Sequence, residues 1–187
     1  MLWRATVQRE SSAQPKGFTP QSQQSQVGDA IFWFNEDKHT THQPYPTSGS
    51  PGDWGEPVTA QNSSQQLNLD TAGTFPYECA FHDDETGSIL VATAIMIGPT
   101  GTGAATVAPN SVTIPQGQSV SWGNSDAQAH QPMPVGGSTT TWFAAPIASG
   151  DISAPVTLGT TGSYPYQCAL HPDKASEKGT ITVTAAS

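Results

Sequence analysis

The chain has 187 residues, room for one large domain or for two of about ninety. Only 11% of residues are charged, and 18 glycines and 16 prolines interrupt the sequence, a composition that disfavours long helices built on Glu/Lys pairs and favours short strands with many turns. Six Lys/Arg against fifteen Asp/Glu leave a net charge of −9, which excludes a surface built to neutralise phosphates, so nucleic acid is not an expected partner.

Met1-Leu2-Trp3-Arg4 leads into polar sequence without the apolar core of a signal peptide, so any export signal is expected to have been removed or never present. Residues 15–26 are rich in Gln and Ser but read as an irregular early strand, because Phe18-Thr19-Pro20 is matched later by Val107-Ala108-Pro109. Strands are expected at 30–34, 89–97, 119–122 and 180–184, where β-branched and aromatic residues cluster between turn residues. The run at 89–97, broken by Thr93, is the longest apolar stretch and falls far short of the roughly 20 residues that span a bilayer. No useful helical period occurs, and the expected class is all-β.

The main organisational signal is a repeat. Gly28, Trp33 and Asn35 recur as Gly117, Trp122 and Asn124, an offset of 89 residues; Gly73, Pro76, Tyr77, Cys79, Ala80 and His82 recur as Gly162, Pro165, Tyr166, Cys168, Ala169 and His171 at the same offset. His42-Gln43-Pro44 meets His130-Gln131-Pro132 at 88, one deletion away. Each half is one copy of a unit that reads as a Greek-key sandwich or barrel. The Gly/Thr-rich stretch 98–103 is the expected linker, giving domains at 1–99 and 100–187.

The repeated residues that are not turn punctuation form a ligand set in each copy: His42, Cys79, His82 and then His130, Cys168, His171. Two imidazoles and a thiolate suit a copper ion that cycles between Cu(I) and Cu(II). A structural zinc site would call for four strong ligands, and only three are evident in each copy. Pairing of Cys79 with Cys168 is disfavoured by their identical contexts in two domains. Trp33, Trp122, Tyr77 and Tyr166 read as core, His39 as a surface residue, and Met133 as a packing residue aligned with Tyr45.

Both halves resemble the cupredoxins, the plastocyanin, azurin and amicyanin family of blue-copper electron carriers. The resemblance rests on the ordered series Phe-x-Pro, Gly-Asp, Val-x-Trp-x-Asn, a first His, and Gly-x-[Phe/Tyr]-x-Tyr-x-Cys-x-x-His. The series is followed from Phe18 to His82, with Ile31 at the Val, and, with Val107 replacing the Phe and Gln118 the Asp, to His171. It implies two tandem eight-stranded Greek-key sandwiches with one type 1 copper at the end of each, so two coppers per chain, redox proteins as partners, and a periplasmic or extracellular location. The family's axial Met, two residues before a Gly, is replaced by Glu85 before Gly87 and by Glu177 before Gly179, although the loops from His to Gly differ in length. Glu85 and Glu177 are candidate axial ligands or else solvated loop carboxylates, with Asp83 and Asp84 competing in the first loop. The added acids predict a first site harder to reduce than the second.

An electron carrier is the leading expectation, and not an enzyme. Copper storage or delivery is the alternative, together with a copper oxidoreductase of the nitrite-reductase kind. The sequence has no His-x-His and no His adjacent to either Cys, which argues against a trinuclear oxygen-reducing cluster.

Overall fold

The computed structural model describes residues 2–10, 16–47, 50, 54–99, 105–139 and 141–186. They form two compact units, Met1–Val91 and Ala92–Ser187, and among the described residues there is no α-helix. In the first unit the strands are β1 (Leu2–Gln8), β2 (Gly17–Thr19), β3 (Ser22–Gln26), β4 (Ala30–Asn35), β5 (Pro44–Pro46), β6 (Leu67–Asn68), β7 (Gly73–Cys79) and the early part of β8 (His82–Pro99). One sheet runs β2-β1-β4-β6; the other joins β5, β7 and β8, with β3 also on β8. Ala5, Val7, Phe18, Ile31 and Trp33 from the first sheet pack against Phe75, Tyr77, Ile89 and Val91 from the second.

The second unit repeats this plan. It uses the later part of β8, then β9 (Ala105–Ala108), β10 (Ser111–Pro115), β11 (Ser119–Asn124), β12 (Pro132–Pro134), β13 (Val156–Thr157), β14 (Gly162–Cys168) and β15 (Lys178–Thr184), with one turn of 3-10 helix at Ala175–Glu177. Its sheets are β9, β8, β11 and β13, and β10-β15-β14-β12, closed around Ile97, Val120, Trp122, Tyr164, Tyr166 and Ile181. Each unit thus has four strands over four, the expected all-β sandwich. The repeat extends to the backbone: Thr19-Pro20 and Ala108-Pro109 are both cis.

The run expected as a single strand at 89–97 serves both units: β8 pairs with β7 as far as Val91 and with β11 from Thr93. Gly98 and Pro99, assigned to a linker by sequence, are paired with Thr106 and Ala105; residues 100–103 of that linker lie outside the described residues.

Two features of the strands position the site. The period of two in β7 and β14 turns Phe75, Tyr77 and Cys79, and likewise Tyr164, Tyr166 and Cys168, toward the core, so each thiol sits at the inner end of its strand. Gly87 lies opposite Tyr77 and Gly179 opposite Tyr166 in the ladders, and a Cβ at either glycine would run into the tyrosine ring.

Candidate metal centres

The first His of each set is fixed by its backbone. His42 exchanges two hydrogen bonds with Val58, and His130 exchanges two with Ile147. Asn35 Nδ2 donates to the carbonyls of Thr40 and Val58, each at 2.8 Å, and Asn124 does the same for Gln128 and Ile147 at 2.7 and 3.0 Å. The repeated Trp-x-Asn is therefore the brace for the loop that carries the histidine. The residue after each His donates its backbone N–H to the thiol: Gln43 to Cys79 Sγ and Gln131 to Cys168 Sγ, both at 3.4 Å.

The structure brings all eight sequence-derived candidates into two groups, His42, Cys79, His82 with Glu85 and His130, Cys168, His171 with Glu177, each with its donor atoms within 4.8 Å of one another. In the first, Cys79 Sγ lies 3.7 Å from His42 Nδ1 and 3.4 Å from His82 Nδ1, while Glu85 Oε2 lies 2.8 and 3.4 Å from the same nitrogens. In the second, the distances from Cys168 Sγ are 3.7 and 3.5 Å and those from Glu177 Oε2 are 3.1 and 3.0 Å. Bonds of about 2.0–2.3 Å to one ion would set tetrahedral donors about 3.3–3.8 Å apart, so little movement is needed to admit a metal.

Both glutamates are buried, Glu85 2% and Glu177 4% exposed, which removes the solvated-carboxylate reading. Asp83 and Asp84 are exposed and outside the group. Register explains why the loop lengths do not matter: Glu85 precedes Thr86, which faces Glu78, and Glu177 precedes Lys178, which faces Gln167, one step before the Gly-Tyr pair in each ladder. The first carboxylate sits in a strand and the second ends the 3-10 turn, whose Ser176 hydroxyl donates to the carbonyl of Ala105.

The far nitrogen of each buried imidazole is also held. His42 Nε2 meets Asp37 Oδ2 at 2.8 Å and His130 Nε2 meets Asp126 Oδ2 at 3.0 Å; such a partner fixes the tautomer and leaves Nδ1 for a metal. Burial works against a charged His42, but its hydrogen bonds with Cys79 and Asp37 and the Glu85 charge together hold it up to about 9. Burial, reinforced by Glu177, raises the Cys168 thiol.

Sequence reading overlooked Asp37 and Asp126, although each lies two residues after the repeated Asn and the 89-residue offset links them. It also overlooked Trp54 and Trp142, related by 88 as the first histidines are, which stack on Trp33 and Trp122 at 5.6 and 5.1 Å between centroids. Arg9 was missed because nothing in the second copy repeats it; its Nη1 lies 3.1 Å from Glu85 Oε1. His39 is at the surface beside Glu10, as expected. Both cysteines are free and buried.

Among solved structures the chain is similar to a purple cupredoxin from Nitrosopumilus maritimus, at 28% identity, 49% of this chain, 98% of that one and a TM-score of 0.41. It is similar as well to amicyanin from Paracoccus versutus, at 18%, 47%, 78% and 0.40, and to a reduced amicyanin variant, at 21%, 47%, 79% and 0.40. No family model and no curated protein matches the sequence.

Proposed function

We propose that the chain is a two-domain, cupredoxin-like copper protein that carries electrons, one copper to each unit, the change of domain falling between residues 91 and 100. His42, Cys79, His82 and Glu85 would hold the first ion, and His130, Cys168, His171 and Glu177 the second. Bound copper would supply a one-electron Cu(II)/Cu(I) couple. The protein's part is to hold two imidazoles, a thiolate and a carboxylate in one dry arrangement that needs little rebuilding when the charge changes.

The observation that carries this reading is the asymmetry of exposure around each centre. His42, Cys79 and Glu85 are buried, whereas the His82 side chain is 20% exposed; His171 is 23% exposed in an otherwise buried second group. Beside these two ligands stand the exposed apolar residues Phe81 and Leu170. An imidazole edge that reaches solvent through an apolar surface suits brief docking of a redox protein. Among the described residues no helix is long and apolar enough to cross a membrane, and a location outside the cytoplasm, where cupredoxins mostly work, fits this role.

A buried fourth donor weakens the sequence argument against zinc, so the test must separate the metals. The expected result is two coppers per chain, one in each of Cys79→Ala and Cys168→Ala, with a reversible voltammetric wave in each variant. Zinc retained in preference to copper would overturn the proposal. Copper lost rapidly to a weak chelator, without a reversible wave, would favour storage or delivery, and turnover of nitrite would favour the oxidoreductase.

A further inference from the structure

We infer that Arg9 makes the two centres electronically unequal: by sharing the charge of Glu85 it weakens that carboxylate as a donor and sets the reduction potential of the first centre above that of the second. The inference rests on the copper reading above and concerns what this chain's own residues do to a ligand.

Glu85 uses its two oxygens differently. Oε2 faces His42 and His82, while Oε1 meets Arg9 Nη1 at 3.1 Å. The Glu85 side chain is 1% exposed and that of Arg9 34%, so the carboxylate end of this ion pair is shielded from the water that makes surface pairs weak. The same nitrogen reaches Asp84 at 2.7 Å, but Asp84 is 61% exposed and its charge is well screened. The backbone N–H of Arg9 donates to both oxygens of Asp37, at 3.0 and 2.8 Å, and the N–H of Glu10 adds a third bond at 2.9 Å. One short segment therefore holds the carboxylate on each side of His42.

Among the described residues the second unit has no counterpart of this segment. Val7 of β1 pairs with Asn35, and Ile97 of β8 pairs with Asn124; two residues further along stand Arg9 in the first unit and Pro99 in the second. Proline has neither a cation nor an N–H to offer. Among the described residues the ion pairs of Glu177 are with His130 and His171 alone.

The consequence follows from ligand chemistry. An anionic oxygen favours Cu(II) over the softer Cu(I), and a carboxylate whose charge is partly answered by a guanidinium favours it less. The first centre is then the easier to reduce, the reverse of the order that counting Asp83 and Asp84 in the sequence predicts, because Asp84 is already paired with Arg9.

The test uses the full chain loaded with copper in the Cys168→Ala background, reading midpoint potential and visible spectrum. The parent should have a higher midpoint than Cys79→Ala. Arg9→Gln, which keeps the backbone N–H, should lower the midpoint by the equivalent of about a tenfold change in preference for Cu(II), and Arg9→Lys should fall between. With Glu85→Gln present, Arg9→Gln should have no effect on either readout, the sign that the two residues act as a pair. An equal shift without Glu85, an unchanged midpoint in Arg9→Gln, or a lower midpoint in the parent than in Cys79→Ala would overturn the inference while leaving copper binding intact. A parent that binds no copper would remove the functional reading and the inference together.

Discussion

Asp37 holds His42 from behind: its Oδ2 lies 2.8 Å from Nε2 while Nδ1, across the ring, faces Cys79 and Glu85. Asp37→Ala would leave that nitrogen unpartnered in a buried place and the tautomer unassigned. Copper affinity of the first centre should fall about 10- to 100-fold, measured by chelator competition in the Cys168→Ala background. Asp126→Ala should cost the second centre less, because Asp126 is 15% exposed against 2% for Asp37 and water can take its place.

Glu85→Met and Glu177→Met should each raise the midpoint potential and strengthen the intense visible absorption that a short copper–thiolate bond produces. A neutral thioether competes with the thiolate less than a carboxylate does. Spectra and midpoints identical to the parent would show that the buried carboxylates do not bind the metal.

Gly87→Ala and Gly179→Ala address the frame beneath the ligands. A Cβ at either position meets the ring of Tyr77 or Tyr166, and those rings are fully enclosed, so neither can step aside freely. Each change should destabilise its metal-free unit by about 1–3 kcal/mol, read from denaturant unfolding. A loss below a few tenths would mean that the rings yield.

Much of this site was legible in the sequence because the repeat printed it twice. The order His, Cys, His, the Trp-x-Asn brace and the Glu-x-Gly register all survive in both halves, and each turned out to have a local geometric cause. What the repeat could not reveal were the single-copy or context-dependent parts. Arg9 has no second copy to mark it, and its role depends on a side chain reaching Glu85 across the fold. Whether Glu85 and Glu177 are dry or solvated depends on sandwich closure, which no local spacing encodes. The linker expected at 98–103 was misleading at its start because Gly98 and Pro99, ordinary turn formers, are accommodated in strands when a partner ladder is supplied.

The pairing of each glycine with its tyrosine also separates two design variables that usually move together. Because the carboxylate is indexed from the Gly-Tyr contact and not from the preceding histidine, the segment between them acts as an interchangeable cassette. The three extra residues between His171 and Gly179 lengthen the surface around the centre without displacing Glu177 from His130 and His171. Transplanting that longer segment into the first unit is thus a route to reshaping the surface beside the centre while the buried group of His, Cys and Glu is left untouched.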